Sequence, residues 1–87
     1  MNLKFMVSGF VTHCLQMDSI QFCFKETKDV DKKINELEEL QDDLISQIWG
    51  KENDHHCKLL QDIVENSFEL ARRILVMRKI SIRNGEE

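Results

Sequence analysis

Proline is absent from this 87-residue chain, and glycine occurs only at Gly9, Gly50 and Gly85. These two residue types are the ones that most often interrupt helices and form tight turns. A chain with so few of them favours long helices and has few places at which it can reverse direction. The sequence therefore predicts a mainly α-helical fold, with its principal turn beside Gly50.

Two amphipathic segments lie within residues 27–83, one on each side of that turn. Apolar residues recur at intervals of three or four positions between Val30 and Trp49, and again between Cys57 and Met77. At about 100° per residue, each set covers an arc of roughly 180° on its helix. We expect two helices that pack against each other as an antiparallel helical hairpin.

The turn of this hairpin is predicted over residues 50–54. Gly50 is expected to end the first helix in the left-handed conformation, which glycine adopts without strain. After the second helix, residues 84–87 are predicted to form a polar tail.

The first 26 residues are expected to form a short N-terminal apolar segment that packs on the hairpin as part of the same domain. Their periodicity is ambiguous, because Leu3 and Phe10 fit helical spacing whereas Ile20, Phe22 and Phe24 alternate as in a strand. A β-hairpin and a short helix both remain open. The frequent aromatic and β-branched residues favour extended structure. Whether translation begins at Met1 or at Met17 also remains open.

The width of the apolar arcs leads to a prediction about function. A helix with one neighbour needs an apolar stripe of roughly 100°, so arcs of about 180° require a further partner. That partner is the N-terminal segment, a second copy of the chain or another protein. We therefore expect a non-enzymatic protein–protein interaction module without a cofactor, such as an adaptor, inhibitor or complex subunit, with a coiled-coil-like homodimer as its simplest form. The expected interface residues are Leu37, Gln41, Leu44, Ile48, Trp49, Ile63, Phe68, Leu70, Ile74 and Met77.

A small nucleic-acid-associated regulator is an alternative. Arg72, Lys79 and Arg83 lie near one another on the second helix and could contact phosphates. However, the net charge of −4 is unlike the basic excess of a protein that binds the phosphate backbone. The negative net charge therefore argues against nucleic acid as a partner.

A zinc- or thiol-dependent protein is a further alternative, because the chain contains Cys14, Cys23, Cys57 and the pair His55 and His56. The close ligand pairs that are typical of structural zinc sites are missing. An odd number of cysteines also favours reduced thiols. We expect no metal, no secretory signal and no membrane-spanning segment, and we place the protein in the cytoplasm or nucleus.

Overall fold

The computed structural model describes residues 3–51 and 54–85, and almost all of these residues are helical. The elements in chain order are α1 (Leu3–Ile20), a short 3-10 turn (Gln21–Cys23), α2 (Thr27–Lys51) and α3 (Asp54–Arg83). The described residues contain no strand. The prediction of a mainly α-helical fold is confirmed.

The preference for extended structure in the first 26 residues is wrong. This segment forms the 18-residue helix α1, and Phe22 lies in the 3-10 turn that follows it. The physical reason is backbone hydrogen bonding. A helix pairs its amide and carbonyl groups internally, whereas a lone two-stranded hairpin leaves the outer edge of each strand unpaired and is only marginally stable in water.

The three helices run up, down and up in a bundle that measures 48 × 19 × 17 Å. Near one end, the Nζ of Lys79 in α3 lies 2.7 Å from the Oδ1 of Asp31 in α2. Near the other end, the indole nitrogen of Trp49 donates a hydrogen bond to Gln61. These two contacts show that α2 and α3 are antiparallel, as the hairpin prediction required.

One face of each helix contributes to a single hydrophobic core. The buried apolar residues recur at intervals of three, four or seven positions, which is the spacing of one helical face. They are Leu3, Val7, Phe10, Cys14 and Met17 of α1; Val30, Leu37, Leu44 and Ile48 of α2; and Cys57, Val64, Phe68, Ala71 and Leu75 of α3. Helix α1 is therefore an integral part of the core and covers part of the wide apolar arcs. Helix α3 packs closely on both other helices, whereas α1 and α2 contact each other less.

The prediction for Gly50 is wrong, because α2 continues through Gly50 to Lys51. In the described part of the chain, the glycine with a positive φ is Gly85, at +72°. Its amide donates a hydrogen bond of 3.1 Å to the carbonyl of Ile82, and this turn terminates α3. Residues 52 and 53 of the predicted turn, and residues 86 and 87 of the predicted tail, lie outside the described residues.

A buried arginine ties the connection between α1 and α2 to α3. The side chain of Arg78 is almost completely buried, and its Nε and Nη2 donate hydrogen bonds of 3.0 and 2.8 Å to the carbonyl of Phe24. Its guanidinium carbon also lies 5.7 Å from the centre of the Phe22 ring, within the range of a cation–π interaction. The C-terminal ends of α1 and α3 are therefore held together.

Candidate interaction surfaces

The predicted interface residues occupy three different environments. Four belong to the chain's own core: Leu37, Leu44, Ile48 and Phe68. Two are half-buried: Gln41 and Ile74. Four are exposed: Trp49, Ile63, Leu70 and Met77. The three-helix core thus buries part of the apolar arc that was predicted to contact a partner. For the exposed residues, contact with a partner remains a prediction.

The outer face of α3 carries a row of exposed apolar side chains, which we call the α3 stripe. It consists of Leu59, Ile63, Leu70, Met77 and Ile80, whose side chains are between 39% and 63% exposed. At about 100° per residue, this row lies roughly opposite the buried face of α3, and it extends for about 32 Å along the helix. The chain's own core therefore leaves this row uncovered.

The spacing of the α3 stripe is that of a coiled-coil seam. Ile63, Leu70 and Met77 are seven residues apart, while Leu59 and Ile80 fall in the second row of the same heptad. The α3 stripe was missed as a unit by the sequence reasoning. The seven-residue repeat is visible in the sequence. However, these residues could be separated from the core residues of α3 only once the buried face of α3 was known.

Two polar residues, Asn66 and Arg73, complete the second row of the α3 stripe, and both are exposed. The Nε of Arg73 donates a hydrogen bond of 3.2 Å to Glu69, which also receives a 2.6 Å hydrogen bond from Nη2 of Arg72. The pKa of the Glu69 carboxyl is lowered to about 2, mainly by the hydrogen bond from Arg72 and further by that from Arg73. Glu69 is therefore ionised at neutral pH and compensates part of the positive charge beside the stripe.

A second surface is the groove between α1 and α2, with a volume of about 260 Å³. We call it the α1–α2 groove. Its apolar lining comes from both helices, and polar side chains lie around it. The lining residues are Met6, Gly9, Phe10 and His13 of α1, and Leu40, Asp43, Leu44 and Gln47 of α2. A Cβ atom added at Gly9 would meet no atom within 4 Å. The missing side chain there therefore keeps the groove open and does not serve a close helix contact.

The α2 side of this groove is strongly acidic. Residues 36–50 contain five carboxylates and no lysine or arginine, and residues 5–24, which include most of α1, contain no lysine or arginine either. Glu36 forms an ion pair of 3.1 Å with Lys33, and Asp43 accepts a hydrogen bond of 2.9 Å from Gln47. The field around the groove is therefore negative.

Two of the three basic residues considered for nucleic-acid contact are paired with carboxylates of the same chain. Arg72 is bound to Glu69, and Lys79 lies 2.7 Å from Asp31. Arg83 is exposed in the last turn of α3. The ion pairs already compensate the charge of Arg72 and Lys79, so the surface offers less positive charge to phosphate than the sequence suggests.

The three cysteines are free thiols that differ in exposure. Cys14 and Cys57 are buried, whereas Cys23 is exposed. The thiol of Cys57 donates a hydrogen bond of 3.2 Å to the carbonyl of Ile48. Within residues 3–51 and 54–85, no group of three or more histidine, cysteine or acidic side chains has a geometry that could hold a metal ion.

We predict that a thiol-alkylating reagent at pH 8 will modify Cys23 rapidly and Cys14 slowly. Burial raises the pKa of the Cys14 thiol from 9.0 to about 11, which lowers its reactive thiolate fraction roughly a hundredfold before any steric protection is counted. Mass spectrometry of peptides after timed labelling measures both rates. The Cys23→Ser variant is the control and should lose the fast phase. Equal rates for Cys14 and Cys23 in the folded protein would contradict the burial of Cys14.

No family model, curated protein or solved structure matches this chain. Of the helices in the described residues, none is long and apolar enough to cross a membrane. The fold is that of a small three-helix bundle. The α3 stripe and the α1–α2 groove are its two candidate interaction surfaces.

Proposed function

We propose that this protein is a small, non-enzymatic protein–protein interaction module that acts through helix packing, and that its α3 stripe joins two copies of the chain. The α3 stripe is the observation that carries the proposal. Five large apolar side chains lie at heptad spacing on the face of α3 that points away from the core. Contiguous apolar surface of this kind usually marks an interaction site.

A second copy is the occupant that best matches the pattern of the stripe. Heptad rows pack by inserting each side chain into a space on an equivalent helix, so the same row can serve on both sides of a two-fold interface. Asn66 and Arg73 are the polar members of the second row, and polar residues at such positions can select the register and the number of helices at a cost in stability. Glu69 shares its negative charge between Arg72 and Arg73, so the positive charge that each copy brings to the pair is reduced but not removed.

We predict that Leu70→Lys will abolish self-association and leave the three-helix bundle folded. Leu70 is 43% exposed, so a lysine there remains hydrated in the monomer but would place a charge at the centre of the paired stripes. The matched control is Leu40→Lys, because Leu40 is 50% exposed but lies on α2 in the α1–α2 groove. Sedimentation equilibrium at tens of micromolar measures association, and circular dichroism measures helix content.

The expected result is a dimer for the wild type and for Leu40→Lys, and a helical monomer for Leu70→Lys. A wild-type protein that remains monomeric throughout this range would overturn the proposed homodimer. A Leu70→Lys variant that dimerises as well as the wild type would show that a surface other than the α3 stripe joins the copies.

A further inference from the structure

We infer that the α1–α2 groove is a separate binding site for an amphipathic helix with basic flanks, supplied by another protein. This inference rests on the proposed function as an interaction module and names the partner of a second surface. The groove is lined mainly by α1 and α2 residues, whereas the α3 stripe lies on the outer face of α3. The two sites can therefore be occupied and disabled independently.

The lining of the groove is suited to a helix. Met6 and Phe10 are one helical turn apart on α1, and Leu40 and Leu44 are one turn apart on α2. Phe10 and Leu44 are buried and form the floor of the groove, whereas the half-buried Met6 and the exposed Leu40 are the side chains that the apolar residues of a third helix can contact. The lining runs over residues 6–13 of α1 and 40–47 of α2, which is about 10 Å along each helix. A docked helix would complete a four-helix arrangement beside α1 and α2, the pair of helices in the bundle that contact each other least.

Gly9 supports this assignment because it gives the groove its space. Glycine inside a helix costs about 0.5–1 kcal/mol relative to alanine. At Gly9 the position of a Cβ atom meets nothing, so no neighbouring element of the described chain requires the small residue. An approaching helix would use the space directly above it.

The negative charge beside the groove indicates that the partner helix is basic. Glu39 and Asp43 are exposed beside the apolar lining, and Glu36, whose charge Lys33 compensates in part, lies near them. A helix with lysine or arginine on both sides of its apolar row would be attracted, and an acidic one would be repelled. The chain's own α3 stripe is a poor occupant, because Asp62 and Glu65 flank its N-terminal half and would face these carboxylates.

The test uses two synthetic 18-residue amphipathic helices as probes. Both have the same leucine face, and their polar faces consist of lysine in one and glutamate in the other. Fluorescence anisotropy of the labelled peptides measures their affinity for the full-length protein. We expect the wild type to bind the lysine peptide at least about tenfold more tightly than the glutamate peptide, with a marked weakening at high salt.

Matched variants separate binding in the groove from general attraction to an acidic protein. The double variant Glu39→Lys with Asp43→Lys and the double variant Asp62→Lys with Glu65→Lys change the net charge equally. The first is expected to weaken binding of the lysine peptide about tenfold or more, and the second to have much less effect. Equal effects of the two double variants would overturn the site.

The Gly9→Leu variant tests the space in the groove. Its Cβ meets no atom, and leucine favours a helix more than glycine does, so the variant is expected to fold at least as stably as the wild type. The leucine side chain would nevertheless occupy the site, and we expect loss of peptide binding. A Gly9→Leu protein that binds the lysine peptide as well as the wild type does would overturn the inference.

The outcome for the groove can be distinguished from that for the homodimer. Leu70→Lys is expected to bind the lysine peptide normally although it no longer dimerises, and Leu40→Lys is expected to dimerise although it binds the peptide weakly. A wild type that dimerises but binds neither peptide would overturn the groove site and leave the proposed function intact. Peptide-induced amide shifts at Ile63 and Leu70 instead of Gly9 and His13 would also overturn it.

Discussion

A chain that begins at Met17 is expected to lose cooperative folding. It would lack Leu3, Val7, Phe10 and Cys14, all of which are buried in the three-helix core. Burial of a Leu, Val or Phe side chain contributes about 1.5–3 kcal/mol, so the loss amounts to roughly 5–9 kcal/mol. A domain of this size has a total stability of only about 4–13 kcal/mol. The shortened chain would also expose the faces of α2 and α3 that α1 covers.

Thermal and urea unfolding followed by circular dichroism would measure this effect. The control is a full-length chain in which Phe5 and Leu15 are both replaced by serine, because their side chains are 73% and 55% exposed. That variant is expected to unfold cooperatively, with a midpoint close to that of the wild type. If the chain from Met17 were a monomer with the stability of the full-length protein, α1 would not be part of the essential core.

Leu37→Ala is expected to lower the free energy of unfolding by about 2–5 kcal/mol, since its side chain is completely buried in the middle of α2. The matched control is Leu40→Ala, three residues further along the same helix. The side chain of Leu40 is 50% exposed, and the same substitution there should cost less than about 1.5 kcal/mol.

Urea unfolding of both variants and the wild type at equal protein concentration would measure the difference, because self-association contributes to the apparent stability. Helix propensity changes by the same small amount at both positions, so the difference between the variants reports burial. Comparable losses at Leu37 and Leu40 would mean that α2 does not present the face observed here to α1 and α3.

The hairpin of α2 and α3 could be predicted because its determinants lie within each helix. The three- and four-residue spacing from Val30 to Ile48, and from Cys57 to Leu75, specifies an amphipathic helix without reference to any other part of the chain. The first 26 residues were less predictable. The short alternation from Ile20 to Phe24 resembles a strand locally, yet in the bundle Ile20 ends α1 and Phe22 lies in the 3-10 turn.

The candidate sites were less predictable than the helices. Leu44 and Leu70 have the same residue type and lie in similar apolar arcs, yet one belongs to the core and the other is exposed. The difference comes from where the other two helices pack against each residue. The periodicity of one helix does not specify the positions of its neighbours. The α1–α2 groove likewise joins residues from two helices, and its opening at Gly9 depends on how far apart those helices lie.

By itself, the sequence determined that long amphipathic helices form, that α2 has an acidic outer face and that more than one neighbour is needed to cover the apolar arcs. Spacing and charge along one helix suffice for these properties. Only the tertiary structure decided that α1 is the third helix of the core, that α3 has an uncovered outer stripe and that Arg78 binds the carbonyl of Phe24. That last contact joins residues 54 positions apart. Such contacts depend on how three helices are placed against one another, and side-chain periodicity carries no information about that placement.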